Sequence, residues 1–293
     1  MLVGSIEAGG TKFICALGDE NYQIKDKAYF PTTTPEETLG KVADYFSQFA
    51  VEAIGIGSFG PLNLDPHSPK YGYITSTTKP YWQNTNFVGY LKQGLHVPIY
   101  WTTDVNSSAY GEYVVSKRKQ LPVDSLVYYT VGTGVGAGAI INGQFVGTIG
   151  NPEMGHTLVK RHPQDRDFTG NCPYHQDCLE GLIAGPTFLA RTGKKGENVP
   201  LSDPVWQIIA YYLAQAVMQA TLILRPNKII LGGGVISEEL LSKVRAEFAP
   251  MLADYVEVPD LADYISMPAI EHNGSAIIGG FALAEQALWS NQK

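Results

Sequence analysis

The stretch IEAGGTKFICAL, residues 6–17, reads as strand, tight glycine turn, strand, because apolar and β-branched residues run up to Gly9-Gly10 and resume after Lys12. Laid over TVGTGVGAGAII, residues 130–141, it matches strand to strand and glycine turn to glycine turn. One unit occurring twice in one chain predicts an internal duplication. Strands and helices alternate after each copy. TPEETLGKVADYFSQFA (34–50) opens with Thr34 as a cap and Pro35 at the first helical position, and it sets Leu39, Val42, Ala43 and Phe46 on one face. AIGIGSFGP (53–61) is a buried strand ending in a glycine loop, and residues 97–117 give a strand and then a helix starting near Asp104. In the second half a long apolar helix (202–226), the strand NKIILGGGV (227–235), a helix over 237–252 and a small-residue helix over 273–289 repeat the theme.

The expected fold class is α/β, with two α/β domains flanking a cleft. The first spans residues 1–118, with a C-terminal helix at about 277–293 packing back on it. The second spans 119–276 and carries an insertion at about 147–200 that fits neither half. A chain of 293 residues exceeds the usual size of one core, and its 44% hydrophobic content fills two. With 28 acidic against 21 basic residues, a net charge of -7 and no basic block longer than SKRK (116–119), a nucleic-acid partner is disfavoured. The opening MLVGSIEAGG has no secretory leader pattern, and no run of eighteen apolar residues occurs, so a cytoplasmic protein without a membrane partner is expected.

Glycine turns between strands expose backbone N–H groups that can cradle phosphates. Two are candidates: Gly9-Gly10-Thr11-Lys12, and Gly132-Thr133-Gly134 with Gly136. Neither has Walker or dinucleotide-fingerprint spacing. Asp104 sits where a strand meets a helix, either as an N-cap or as a general base for a substrate hydroxyl. The segment GNCPYHQDCLEG (170–181) holds two of the three cysteines six positions apart, with His175 midway. A disulfide would close only a very short loop and needs an oxidising compartment. Two thiolates and an imidazole are three of the four ligands of tetrahedral Zn(II), and the fourth is His156 or His162. Glu153, His156 and Glu180 bracket this cluster and suit a polyol, since a carboxylate accepts from two vicinal hydroxyls. The metal is then structural and anchors the loop that presents these three residues to a sugar.

With these residues assembled, the chain resembles the ROK family of sugar kinases, and within it the fructokinases. The resemblance rests on EAGGTK (7–12), TDVN (103–106), GTGVGAG (132–138), EMGH (153–156), C-x2-H-x2-C followed by LEG (172–181), GGGV (232–235) and GSAIIGG (274–280), and it covers essentially the whole chain. It implies two actin-like (ribonuclease-H-like) domains, a homodimer, and transfer of the γ-phosphoryl of ATP, with Mg2+, to a sugar hydroxyl. By the same resemblance Asp104 is the base, and Glu153, His156, Glu180 and Asn106 contact the sugar. The two glycine turns hold phosphates, Gly233, Gly234 and Val235 border the adenosine with Pro186, and His156, Cys172, His175 and Cys178 bind structural Zn2+. The chain departs from the commoner family pattern at Glu7, where Asp is usual, at Thr103, where Asn is frequent, and at His175, where Cys is frequent. Fructose is favoured by resemblance, chiefly over residues 60–75; the alternatives are a glucokinase or broader hexokinase, and a non-catalytic sugar-binding or regulatory protein.

Overall fold

The computed structural model describes residues 1–147, 149–271 and 274–290. The last three residues of the helix expected over 277–293 lie outside the described residues. The chain divides into one unit of Met1–Gln120, Phe145–Asn151 and Ile270–Lys293, and another of Leu121–Gln144 and Pro152–Ala269. The first runs β1 (Val3–Ala8), β2 (Lys12–Gly18), β3 (Ile24–Pro31), α1 (Pro35–Ser47), β4 (Ala53–Ser58), the small pair β5 (Tyr73–Ile74) and β6 (Thr85–Asn86), α2 (Phe87–Gly94), β7 (Ile99–Thr103) and α3 (Asp104–Arg118). There follow β8 (Ser125–Val131), β9 (Val135–Ile141), β10 (Gln144–Phe145), α4 (Leu179–Ile183), α5 (Pro186–Thr192), α6 (Val205–Leu224), β11 (Lys228–Gly232), α7 (Glu238–Leu252), α8 (Leu261–Tyr264) and β12 (Ile265–Ser266). The chain then returns to the first unit with α9 (Ser275–Ser290).

The duplication read from two hairpins extends to whole sheets. Their strand orders are β3-β2-β1-β4-β7 and β10-β9-β8-β11-β12. In each, the leading strand forms an antiparallel hairpin with its successor, Ala8 opposite Phe13 and Val131 opposite Val135. On its other side it pairs in parallel with β4 or β11, and the next strand, β7 or β12, extends the parallel half. Parallel strands need a crossover, which is where the helices fall. Hairpin glycine turns therefore lie at the carboxyl ends of the leading strands, beside the ends of their parallel neighbours.

In the first unit Thr34 caps α1 as its sequence implies, its side chain accepting from Glu37 N, and Leu39, Val42 and Phe46 enter the core. On the other side of that core Phe13 stacks on Phe87 with ring centroids 5.7 Å apart, and the fully buried Trp82 lies 5.4 Å from Phe13. Burial of each such side chain contributes about 1.5–3 kcal/mol. The other face of the sheet receives α3 and α9, and the small residues of α9 have a steric cause. A Cβ on Gly279 would run into Ser107 O, and one on Gly280 into Ser5 Oγ. Reciprocally, a Cβ on Gly55 would strike Gly280 O and one on Gly111 would strike Ser275 O.

In the second unit α6 is long and apolar enough by composition to cross a membrane, although polar residues interrupt its apolar run. Half of its most apolar window is buried inside the protein. Its interrupting glutamines are tied to the chain, Gln215 donating to Lys160 O and Gln219 to Leu158 O.

Candidate active site and metal centre

In the first unit the junction TTD (102–104) assigns its roles by geometry. Thr103, not Asp104, is the N-cap of α3, its Oγ1 accepting from Asn106 N at 3.1 Å. Of the two readings of Asp104, the N-cap one does not hold: Asp104 is the first helical residue, with Oδ1 accepting from Val105 N at 2.9 Å. Three consecutive residues able to cap made the choice ambiguous from sequence. Asn106 is buried, donates from Nδ2 to Thr102 Oγ1 at 3.1 Å, and keeps a buried Oδ1 that has no protein partner.

Glu7 lies on the same face of β1 as Ser5, the face covered by α9, and pairs in register with Gly57 of β4. A Cβ on Gly57 would lie 3.2 Å from Asp104 Cα, so the first turn of α3 rests over that glycine. Burial pushes the Glu7 carboxyl up to about 7, and the neighbouring charge of Asp104 adds to this against the opposing pull of Lys27 and Lys12. Its Oε2 is buried without a protein partner. The turn that follows is closed by Gly9 N donating to Lys12 O at 3.0 Å, and Thr32 fastens it through Oγ1 to Gly9 O at 2.7 Å. Gly10, Thr11 and Lys12 are exposed.

In the second unit the turn over Gly132, Thr133 and Gly134 is closed by Gly132 N donating to Gly134 O at 2.9 Å. Gly185, just before Pro186 at the start of α5, donates to Gly132 O at 2.7 Å. Val235 N donates to Val131 O at 3.0 Å, and Gly233 takes a positive φ of 95°. A Cβ on Gly185 would lie 3.9 Å from Val235 Cγ2. The glycine turn, Gly233–Val235 and, through its neighbour Gly185, the sequence-expected Pro186 are thus brought together at the ends of β8 and β11. Glycine at 233 is dictated both by the left-handed backbone and by Val131, which a Cβ would strike.

Glu153 is exposed, at the start of a short 3-10 helix, Met154–His156. That helix packs so closely on β9 that a Cβ on Gly155 would strike Val135 O. His156 points Nδ1 toward Cys178 Sγ at 3.5 Å and Cys172 Sγ at 3.7 Å, and His175 Nδ1 lies 3.9 Å from Cys172 Sγ. The ligand atoms of His156, Cys172, His175 and Cys178 all lie within 4.8 Å of one another. A tetrahedral Zn(II), with bonds of about 2.3 Å to sulfur and about 2.0–2.1 Å to nitrogen, sets sulfur-to-nitrogen edges of about 3.5 Å. The four residues fit such an ion, and His156 rather than His162 completes them. His162 instead caps the turn at Pro163, its Nδ1 accepting from Gln164 N at 3.2 Å.

Glu180, on α4 two residues beyond Cys178, accepts from Val135 N through Oε2 at 2.9 Å. This contact with the glycine turn went unread in the sequence. Its trace there is Gly134, where a Cβ would lie 2.7 Å from that oxygen.

A family model described as the ROK family matches residues 3–287. The chain belongs to the ROK family. Among ROK relatives it is 53% identical over 290 residues to the fructokinase of Streptococcus mutans, covering 97% of this chain and 98% of that one. It is 52% identical over 283 residues to the fructokinase of Lactococcus lactis subsp. cremoris, covering 96% of each. The solved ROK hexokinase of Thermus thermophilus superimposes with a TM-score of 0.78 at 21% identity, over 99% of this chain and 100% of that one. The two duplicated sheets are accordingly the actin-like α/β fold of ROK sugar kinases.

Proposed function

We propose that this ROK chain is a fructokinase, transferring the γ-phosphoryl of Mg-ATP to the 6-hydroxyl of fructose. The observation that carries the reading is 53% identity along nearly the whole chain to a fructokinase. In the step, the 6-oxygen bonds to the γ-phosphorus, the bond to the β,γ-bridging oxygen breaks to release ADP, and the hydroxyl proton passes to Asp104. The place of Asp104, the first residue of α3 directly after β7, supports this role, and its Oδ1 is oriented there by accepting from Val105 N. Glu153, His156, Glu180 and Asn106 receive the sugar. Backbone N–H groups of the turns at Gly9, Gly10, Thr11 and Lys12 and at Gly132, Thr133, Gly134 and Gly136 receive phosphates. Gly233, Gly234, Val235 and Pro186 border the adenosine.

His156, Cys172, His175 and Cys178 would hold Zn2+, which supplies a cross-link fixing the loop and the orientation of His156, not reaction chemistry. Ligation through Nδ1 leaves Nε2 of the same ring for a sugar hydroxyl. Mg2+ bound with ATP would supply neutralisation of the charge on its phosphates. A cytoplasmic homodimer is part of the same reading, with two chains per particle expected in light scattering. The purified protein should form fructose 6-phosphate from fructose and Mg-ATP in a coupled isomerase-dehydrogenase assay. No product across millimolar fructose would overturn the proposal.

A further inference from the structure

We infer that Glu180 is a positioning residue for the second glycine turn, so that one carboxylate serves both the sugar and the turn that receives phosphate. This deepens the kinase reading and rests on it for the identity of the two ligands. The contact itself stands on geometry within one unit. Oε2 accepts the N–H of Val135, the first residue after the turn, at 2.9 Å. Gly134 has no side chain where a Cβ would crowd the same oxygen at 2.7 Å. Five residues after Glu180, Gly185 N bonds Gly132 O at 2.7 Å, so the stretch carrying α4 grips the turn from both of its ends. The start of α4 is in turn fixed by the buried Cys178 and by Leu179 N donating to Thr157 O at 2.9 Å. Gly155, next to His156, packs on the carbonyl of Val135. Cys178, His156 and the turn are thus joined by short, directional contacts.

A carboxylate has two oxygens. One holds the turn through a charge-assisted hydrogen bond, and the other is available to a sugar hydroxyl. A hydroxyl donating to the second oxygen fixes the rotamer that holds the first on Val135. Sugar therefore pre-organises the turn, and by linkage a nucleotide held by the turn tightens the sugar by the same factor.

Cross-effects of two substitutions test this, by calorimetric titration of the wild type, Glu180→Ala and Gly134→Ala with the β,γ-imido analogue of ATP and, separately, with fructose; thermal melts check folding. Glu180→Ala should weaken the ATP analogue about fivefold or more with no sugar present. Gly134→Ala, which pushes the Glu180 carboxylate off Val135 N without altering Glu153, His156 or Asn106, should weaken fructose about fivefold or more with no nucleotide present. The wild type should bind the analogue more tightly with saturating fructose, and both variants should lose that gain. Each variant affecting only the ligand on its own side would overturn the inference. A wild type that binds nucleotide but not fructose would overturn the fructokinase reading instead, and the nucleotide titration of Glu180→Ala would still decide what Glu180 does at the turn.

Discussion

Two carboxylates in the first unit carry opposite expectations. Asp104, the first residue of α3 directly after β7, is the base in the proposed transfer. Asp104→Asn keeps its size and removes its basicity, so kcat should fall at least about 100-fold while fructose affinity changes little. A near-normal kcat in a steady-state assay would reduce Asp104 to a packing residue. Glu7 is buried, and its carboxyl stands at about 7 against an ordinary value of 4.5. As pH rises from about 4.5 to about 7 the unfolded chain gives up this proton first, while the folded chain holds it. Stability therefore falls across that window, by roughly 3 kcal/mol in all, and is level above it. Glu7→Gln lacks this loss. Relative to the wild type, its melting temperature should be higher at pH 8, with the advantage shrinking steadily toward pH 5; a difference independent of pH would contradict this assignment. The sequence singles out Glu7 only as an unusual residue beside a turn. Its environment depends on Gly57, fifty positions away in the chain, letting α3 come down onto the sheet.

The elements differ in how openly the sequence declares them. The hairpins β1-β2 and β8-β9 and the helix α1 are legible because turn glycines, a Thr-Pro start and a 3.6-residue apolar period agree with one another. By contrast β3, whose sequence IKDKAYFP mixes charge into the strand, carries no strand pattern that the sequence declares. It is a sheet edge, where charge guards against unwanted pairing and hides the apolar alternation. The cluster of Cys172, His175 and Cys178 is legible because C-x2-H-x2-C needs only local geometry, and the folded chain brings His156 to it. What was hidden is that α4 ends up against the second glycine turn, a neighbour relation set by tertiary packing. The purified protein should contain about one zinc per chain by elemental analysis, and removal by a strong chelator should lower both its melting temperature and its fructose affinity. Unchanged fructose affinity in the metal-free protein would separate the loop from the sugar site.

At the scale of the whole molecule, two copies of one sheet order organise the chain, and the glycine turns recur at equivalent places in both. The recurrence of the turns is visible in two aligned twelve-residue stretches, because a hairpin with a glycine turn constrains its sequence strongly, whereas the full strand order is not. The small residues of α9 are plain in the sequence, but their partners Ser5, Gly55, Ser107 and Gly111 lie far away in the chain and emerge only from the packing. Hexose preference was not legible physically, since epimers are told apart by polar groups that the wrong sugar leaves unpaired. The most direct measurement is kcat/KM of the purified protein for fructose, glucose, mannose and N-acetylmannosamine with saturating Mg-ATP. The account predicts a value for fructose at least about tenfold above every other sugar, corresponding to about 1.4 kcal/mol of transition-state discrimination. Equal turnover of several hexoses, or a preference for glucose, would contradict it.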